Sequence, residues 1–341
     1  MEDAARRNSS IQRFRTSIPP SAGREDRFLF NVDLKQENDA SNQILRKILE
    51  SVDFKIVGAL EKLEEVEAWR AESLSKMVLT ESERAQPSPL RTEGFDNHNR
   101  QVFYLKVMLV DKKRDTNILL KVFCTELGRL MEQCKDFFLV VDFTGGNTHM
   151  QRVHVHEALN IIQKYYPRFI MDELYIGEFY YSIPLNMAKG KYIVSLDQAP
   201  NQLFRIIPAH HVPVEYGGIP SIVPVEGQEK VDSGHVDIVH GERRKLELHC
   251  SEGSIVTVRA RVVGWEVSFG ARLVPTDPSV RPTIYPLLLR EFNFMPSDSD
   301  DYEEMILDNV PFNGKICIEV ENSSFKTKKL VYLCFARRQS S

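Results

Sequence analysis

Apolar residues recur at two different spacings along this chain, and the change of spacing divides it into regions. From Ser41 to Trp69 they stand three and four residues apart, as on one face of a helix. Strand-like apolar runs then alternate with helix-like segments as far as Ile207. From Val236 to Phe335, apolar and polar residues alternate in short segments separated by turn residues. The pattern therefore predicts a helical lobe, an α/β lobe and an all-β domain.

The α/β region has the order expected of a parallel sheet. Residues 137–143, FFLVVDF, form a continuous apolar run that indicates a central strand covered on both faces. Strand-like segments lie before and after it, at 102–110, 174–177 and 191–196, with helix-like segments between the earlier ones. This alternation predicts a largely parallel sheet with right-handed crossovers. The short segments from 236 onward predict an antiparallel β-sandwich instead.

The remaining stretches predict connections without a core of their own. Residues 1–38 mix serine, proline, arginine and acids with scattered apolar residues, so we expect a mobile tail that cannot bury enough surface to become ordered. A loop at 75–99 is rich in serine, proline and charge. The predicted domains are a disordered tail at 1–38, a helical lobe at 40–75, an α/β lobe at 92–218, a linker at 219–232 and a β-sandwich at 233–338.

The stretch from Tyr165 to Leu196 carries more apolar surface than its local structure requires. The residues between its two predicted strands are too few for a long crossover helix and too apolar for a solvated loop. They must face the rest of the protein, a membrane or a bound hydrophobic ligand. The candidate ligand contacts in this stretch are Tyr165, Phe179, Tyr181, Ile183 and Met187.

Composition narrows the choice of partners and compartment. The chain has 44 basic and 48 acidic residues and a net charge of -4, so it shows no bias toward nucleic acid. Its 5 cysteines are widely spaced, which predicts reduced and mostly buried thiols. The N-terminal residues lack the apolar core of a signal peptide, and no apolar run approaches the roughly 20 residues that span a bilayer. We expect a cytosolic protein that does not bind nucleic acid.

No motif for catalysis or for a cofactor emerges from the sequence. Gly145 and Gly146 follow the FFLVVDF run, where a dinucleotide fingerprint would begin, but the third glycine is missing. No G-x-S-x-G elbow is present for a serine hydrolase. The pair His210 and His211, like the other histidines, lacks metal-ligand spacing. The sequence predicts a non-enzymatic protein with no cofactor and no metal.

Two groups of cations are candidates for contact with lipid. Lys191 opens an apolar strand at the edge of the apolar stretch, where it could hold one anionic headgroup or be an ordinary strand-end lysine. Near the C-terminus, positive charge concentrates on one region of the predicted sandwich, and each cation near an anionic membrane would contribute about 1 kcal/mol. The candidate membrane-binding residues are Lys326, Lys328, Lys329, Arg337 and Arg338.

Several segments occur in the order found in one known family. FKIVGALEKLEEVEAWRAE at 54–72 resembles the helical lobe of CRAL-TRIO domains. Five segments are similar to the lobe that follows it: FFLVVDFTGGN at 137–147, YYP at 165–167, ELYIG at 173–177, KYIVSL at 191–196 and IPAHHVPVEYGG at 207–218. The closing VPVEYGG is the most specific of these matches.

The C-terminal region has a second resemblance. GWEVSFGARLVP at 264–275 and KICIEVENSSFKTKKLVYLCF at 315–335 resemble a GOLD domain, in the arrangement of patellins and other CRAL-TRIO/GOLD proteins. The two resemblances together cover roughly residues 40–336. They imply a CRAL-TRIO α/β lobe with an N-terminal helical lobe, followed by a GOLD β-sandwich.

The resemblance implies a lipid-binding or lipid-exchange module with an apolar pocket and a gate over its mouth. Lys191 matches the lysine that contacts the inositol phosphate in phosphatidylinositol-binding members. Arg168 stands where those members have a glutamate, which is compatible with a more highly phosphorylated headgroup. Phe137 and Leu139 stand where hydroxyl residues hold a choline phosphate, which argues against phosphatidylcholine. The segment 178–190 is shorter than a typical gate region.

The leading hypothesis is a cytosolic lipid-binding or lipid-transfer protein in trafficking or signalling. Its ligand would be a phosphoinositide or another hydrophobic molecule, and it would associate peripherally with anionic membranes. The alternative is a CRAL-TRIO/GOLD adaptor without cargo, which recruits trafficking proteins through its GOLD domain. The shortened gate segment favours this alternative.

Overall fold

The computed structural model describes residues 2–20, 27–110, 116–130, 136–145, 148–177, 192–196, 198–219, 229–263, 267–279, 287–293 and 302–338. Contacts between residues divide the chain into two compact units. The α/β unit comprises Met1–Glu93 and His98–Leu196, and the sandwich unit comprises Gly94–Asn97 and Asp197–Ser341.

A five-stranded sheet organises the α/β unit, with its strands in the sequential order β3-β4-β5-β6-β7. The pairs β4–β5, β5–β6 and β6–β7 are parallel, as the alternation of strands and helices predicts. All six residues of β5 are buried, because β5 is central and covered on both faces. The strands are β3 (Leu90–Phe95), β4 (Gln101–Lys106), β5 (Phe137–Asp142), β6 (Ile170–Ile176) and β7 (Tyr192–Val194).

The helices of the α/β unit share one apolar core with this sheet. Three of them begin at capping boxes, in which Asn38 pairs with Ser41, Thr80 with Glu83 and Thr148 with Gln151. The helices are α1 (Glu2–Ser17), α2 (Asp39–Ser51), α3 (Ile56–Ser73), α4 (Glu81–Arg84), α5 (Thr116–Leu130) and α6 (His149–Tyr165).

The predicted disordered tail at 1–38 is wrong. Residues Glu2–Ser17 form α1, and its Ile11 and Phe14, together with Ile18 beyond its end, are buried in the core of the α/β unit. A two-stranded hairpin follows, formed by β1 (Phe28–Leu29) and β2 (Val32–Asp33). Three apolar residues at spacings of three and four were enough for a docked helix, because its partners on α2 and α3 supply the rest of the buried surface.

The sandwich unit consists of two four-stranded sheets whose recorded strand pairs are all antiparallel. One apolar core contains residues from both sheets, which confirms the predicted β-sandwich. One sheet has the order β13-β10-β15-β8 and the other β12-β11-β14-β9. The strands are β8 (Glu229–Ile238), β9 (Arg243–Cys250), β10 (Ser254–Val263), β11 (Ser268–Pro275), β12 (Leu287–Asn293), β13 (Glu303–Leu307), β14 (Gly314–Glu321) and β15 (Lys328–Arg338).

Three boundaries differ from the predicted ones. Strand β3 and helix α4 lie inside the segment 75–99 predicted as a loop, and β8 begins at Glu229, inside the predicted linker 219–232. Helix α7 (Ala199–Ile206) and the residues up to 218 make their contacts in the sandwich unit, although the sequence assigns them to the α/β lobe. A domain boundary falls where few contacts cross it. Because α7 packs on β-strands that follow it in sequence, it groups with the sandwich unit.

Candidate functional site

One face of the parallel sheet carries both apolar and polar candidates for ligand contact. Phe137, Leu139 and Val141 of β5 belong to the same core cluster as the apolar residues of α5 and α6. Leu139 pairs with Glu173 of β6, and Val141 pairs with Tyr175. Because paired residues of neighbouring strands point to the same side, all five share one face. We call these five residues the helix-covered face.

A polar network occupies the β6 part of the helix-covered face. The hydroxyl of Tyr175 donates to Oε2 of Glu173 at 2.5 Å, and Nε2 of Gln163 in α6 donates to Oε1 of Glu173 at 2.5 Å. Burial, followed by the charge of Glu173, raises the pKa of Tyr175, so its hydroxyl remains a neutral donor. The face is therefore apolar along β5 and carries a buried carboxylate along β6.

The predicted ligand residues include Phe137 and Leu139 but not Glu173 and Tyr175. Phe137 and Leu139 are fully buried, and the rings of Phe137 and Phe103 lie 5.0 Å apart. The sequence does contain the signal for the missed pair. Counting by twos through the β6 sequence IMDELYI places Glu173 and Tyr175 on one side, and an acidic residue within a buried strand marks a polar site.

Arg168 lies in a turn directly before β6. Its φ is 59°, in the left-handed region, and its side chain is exposed. Its carbonyl oxygen accepts a hydrogen bond from Nζ of Lys47 in α2 at 3.1 Å, and Lys47 also pairs with Asp136. Helix α2 thus fixes the backbone of the turn and leaves the Arg168 guanidinium toward solvent. A headgroup contact from Arg168 stays a prediction.

Tyr165 is placed away from the helix-covered face, contrary to its predicted ligand role. Its ring stacks on Trp69 of α3, with centroids 4.5 Å apart and an interplanar angle of 6°. Nζ of Lys164 lies 5.1 Å from the centroid of the same ring. Tyr165 ends α6, where the helical period turns its side chain toward α3. Its role is in packing α6 on the helical lobe.

The other predicted ligand residues lie outside the described residues. They are Lys191, Phe179, Tyr181, Ile183 and Met187.

Two glycines end the segment VPVEYGG, and the sandwich unit explains why. Gly217 has a φ of 89°, and a Cβ there would lie 2.8 Å from Cγ2 of Val263. A Cβ on Gly218 would lie 1.7 Å from the carbonyl oxygen of Val212. Arg261 of β10 donates to the carbonyl of Gly218 at 3.2 Å, which holds this turn against the sheet. Neither position has room for a side chain.

The pair His210 and His211 is used in packing of the same unit. Nδ1 of His210 lies 3.1 Å from Oγ of Ser233, and Nδ1 of His211 accepts the backbone N–H of Phe95 at 3.1 Å. Within the described ranges, no cluster of three or more His, Cys, Asp or Glu side chains is arranged to hold a metal ion.

A model of the CRAL/TRIO domain matches residues 88–218, which include the whole five-stranded sheet and the VPVEYGG turn. Among curated proteins, the chain is 25% identical to Patellin-2 of Arabidopsis thaliana over 87% of this chain and 47% of that protein. It is 25% identical to Patellin-1 over 90% of this chain and 57% of that protein, and 21% identical to Patellin-6 over 97% and 87%, both from the same plant. Residues 88–218 thus match a CRAL/TRIO domain, and the chain is similar to patellins along most of its length.

The chain spans about half the length of the first two of these relatives. Among solved structures it is similar to the crystal structure of Sfh5, with a TM-score of 0.44 and 13% identity over 57% of this chain and 82% of that one. None of the helices in the described part of the chain is both long enough and apolar enough to span a bilayer.

The predicted cluster of membrane-binding cations on the GOLD-like sandwich does not form one patch. Lys328 and Lys329 are buried, and Lys329 pairs with Asp237. Lys326 lies before the start of β15, whereas Arg337 and Arg338 end it. A strand of 11 residues is about 35 Å long, at 3.2–3.4 Å per residue. Of the five predicted cations, Lys326 is the exposed one at the start of β15 among the described residues, and the prediction of a single patch is wrong.

Lys326 instead follows an exposed aromatic residue on a well-ordered turn. Phe325 is 92% exposed, and its ring stacks on His240 with centroids 4.8 Å apart. The buried Asn322 donates through Nδ2 to the carbonyls of Ile238 (2.9 Å) and Lys326 (2.8 Å), so it joins the two neighbouring turns. We call Phe325, Lys326 and His240 the sandwich tip.

A cavity of about 270 Å³ in the α/β unit lies between α5 and the residues 79–89. Leu79, Val110, Ile118 and Val122 give it an apolar lining, and Glu83 and Glu126 stand at its edge. Lys121 of α5 pairs with Glu83 at 3.0 Å, which neutralises one of these carboxylates. The sequence predicts only a loop at 75–99 for this part of the lining, so it gives no sign of the cavity.

Proposed function

We propose that this chain is a non-enzymatic lipid-binding protein of the lipid-transfer type, which holds a phosphoinositide or another hydrophobic ligand against the face of the five-stranded sheet opposite the helix-covered face. The observation that carries the proposal is the match of the CRAL/TRIO domain to the residues that form the five-stranded sheet. Phe138 and Val140 of β5 and Leu174 of β6 alternate with the residues of the helix-covered face, and they would contact the ligand tails.

The order of the strands supports this choice of face. Crossovers between parallel strands are right-handed, and in a sheet of sequential strand order such crossovers all fall on one face. Helices α5 and α6 fill that face with their own apolar side chains, whereas Phe138, Val140 and Leu174 are buried outside this core. Lys191 directly precedes β7 in sequence and is the proposed anchor for an anionic headgroup, a role for which a compact ammonium is suited.

Lipid extraction from the purified full chain, followed by mass spectrometry, tests the ligand. We expect a co-purifying phospholipid, and we expect Lys191→Ala to weaken binding to phosphoinositide vesicles while the melting temperature stays nearly unchanged. Lys76→Ala is the matched control, since the side chain of Lys76 is 70% exposed and the residue lies more than a hundred positions before Lys191 in the sequence. Absence of both co-purifying lipid and vesicle binding would instead favour the cargo-less adaptor.

The proposal includes peripheral association with anionic membranes through the sandwich tip. An exposed phenyl ring beside a cation suits the interface of a bilayer, where apolar groups enter and cations meet lipid phosphates. Phe325→Ser should reduce sedimentation with anionic vesicles. Ile306→Ser is the matched control, because Ile306 is 57% exposed in β13 of the same sandwich. Equal losses from both variants would contradict a specific role for the tip.

A further inference from the structure

A second opening in the α/β unit lies between the β1–β2 turn, the end of α3 and the outer side of α5. Its volume is about 320 Å³, at the lower end of the range for small-molecule sites. We call it the Arg70 cleft. The residues that matter for its chemistry are Phe30, Arg70, Met77, Cys124, Gly128 and Tyr166.

Arg70 is the only charged residue among those described as lining the cleft. Its guanidinium carbon lies 4.5 Å from the ring centroid of Phe30 and 5.9 Å from that of Tyr166. None of the described residues supplies a carboxylate at ion-pair distance from it, whereas the neighbouring Arg27 is paired with Glu67. The two rings therefore hold the guanidinium in place while N–H donors remain available for an anion.

The turn that presents Phe30 is conformationally strained. Phe30 and Asn31 have φ values of 54° and 62°, both in the left-handed region. Two-residue turns of this kind prefer Asn-Gly, and a phenylalanine there is a genuine outlier. The Phe30 ring is nevertheless fixed between Tyr166, at 5.5 Å, and Phe169, at 5.3 Å. Strain of this kind is often retained at ligand sites.

The rest of the cleft is apolar or neutral. Met77 and the 58% exposed Val78 stand on the side of α3, and Gly128 leaves an open space on α5 in which a Cβ would contact nothing within 4 Å. The thiol of Cys124 and the hydroxyl of Tyr166 interact, and burial raises the pKa of both groups, so neither competes as an anion. The cleft thus combines one cation with apolar walls.

We propose that the Arg70 cleft binds a small amphiphile that carries one carboxylate or phosphate group on a short apolar chain. The anion pairs with Arg70, and the chain lies along Met77 and over Gly128. The site is separate from the sheet face proposed for the lipid, so the proposal does not depend on the proposed lipid ligand. The cavity of about 270 Å³ beside the same helix does not offer an available cation. Glu83 and Glu126 line it, and its Arg84 donates a hydrogen bond to the Leu79 carbonyl.

Fluorescence of Trp69 provides a direct readout in the full chain. Its ring lies edge-on to Tyr166, with centroids 6.2 Å apart, and the chain has only 2 tryptophans. Octanoate and octyl phosphate should each give a saturable change in fluorescence. Octanol lacks the charged contact with Arg70 and inorganic phosphate lacks the apolar contacts, so each should bind at least about tenfold more weakly. Equal binding of octanol would overturn recognition of an anion.

Two variants locate the site. Gly128→Leu fills the cleft without touching Arg70 and should abolish the signal, whereas Gly128→Ala should retain it and controls for the change in helix propensity. Arg70→Gln should weaken octanoate binding at least about tenfold and leave octanol unaffected. Circular dichroism verifies that each variant is folded. Octanoate binding by Gly128→Leu at the affinity of the unmodified chain would place the ligand elsewhere and sink the proposal.

Discussion

Each unit of the chain buries a lysine beside an aspartate, but the two pairs differ in what else surrounds the ammonium. In the α/β unit, the side chain of Lys47 is 1% exposed and that of Asp136 is 29% exposed. Nζ of Lys47 also donates to the carbonyl of Arg168 and lies 4.5 Å from the ring centroid of Phe169. Burial, partly offset by Asp136, lowers the pKa of Lys47. This lysine is enclosed and ties α2 to the turn before β6.

In the sandwich unit, the corresponding pair lies at the surface. The side chain of Lys329 is 7% exposed, but Asp237 is 60% exposed. Nζ of Lys329 lies 5.9 Å from the ring centroid of Phe204. A solvated aspartate is screened, so its attraction for the lysine is weaker than that of a partly enclosed one. Lys47 and Lys329 are therefore buried because of the residues that pack around them in space, and not because of the charged residues next to them in sequence.

The largest effect should come from Asp136→Ala, which leaves the enclosed ammonium of Lys47 without a counterion. We expect a loss of about 3 kcal/mol in the free energy of unfolding, because removing one partner of a buried ion pair leaves an uncompensated charge. Urea denaturation followed by circular dichroism measures it.

A double variant separates the charge effect from packing. Lys47→Met in the Asp136→Ala background removes the stranded charge and keeps an apolar stem of similar length, so it should recover part of the loss. A double variant less stable than Asp136→Ala would show that Lys47 matters through its bond to the Arg168 carbonyl rather than through its charge.

Asp237→Ala should have a smaller effect on the same measurement. We expect about 1 kcal/mol or less, because exposed carboxylates contribute little to ion pairs. A loss as large as that from Asp136→Ala would break the comparison and would mean that Lys329 is as dependent on its partner as Lys47. Glu252→Ala, which changes an exposed acidic residue of the same unit, controls for the loss of one negative charge.

The two lysines also mark where sequence reasoning succeeds and where it fails. Alternation of apolar residues predicts the strands of both units, since burial of one face has a period that can be read along the chain. Strand β10, Ser254–Val263, for example, lies within the region 236–335 for which the sequence predicts short alternating strands. The run Lys326, Lys328, Lys329 reads as a surface patch, yet only the first is exposed. Whether a lysine is covered depends on residues distant in sequence, such as Asp237 and Phe204.

The candidate site shows the same division. The continuous apolar run of β5 predicts a central strand but does not identify its two faces, because both are apolar. The helix-covered face becomes definable only when the register pairs Leu139 with Glu173. The tail fails for a related reason: Phe14 and Ile18 are too few to predict a core by themselves, and their partners are on α2 and α3.

The smallest predicted effect concerns the neighbourhood of Lys329 and its dependence on pH. His235 stacks on Phe204, with ring centroids 5.2 Å apart. Burial, followed by the charge of Lys329, lowers the pKa of His235, while Asp237 opposes this shift. Below the unfolded pKa of about 6.5, the unfolded chain therefore binds a proton that the folded chain does not yet bind. The contribution of His235 to stability is thus lost as the pH falls through this window.

His235→Phe removes the titrating group and keeps an aromatic ring against Phe204. The melting temperature of the unmodified chain should fall more between pH 7.5 and pH 5.5 than that of the variant, since all other titrating groups are common to both. His249→Phe, which replaces an exposed histidine of β9, is the matched control for the loss of one imidazole. Asp237→Ala should steepen the dependence, because the carboxylate that favours protonation of His235 is gone. The Asp237→Ala, His235→Phe double variant tests whether His235 causes this steeper dependence. If the dependence stays steep in the double variant, a group other than His235 titrates, and the Lys329–Asp237 pair is then coupled to more than its immediate neighbours.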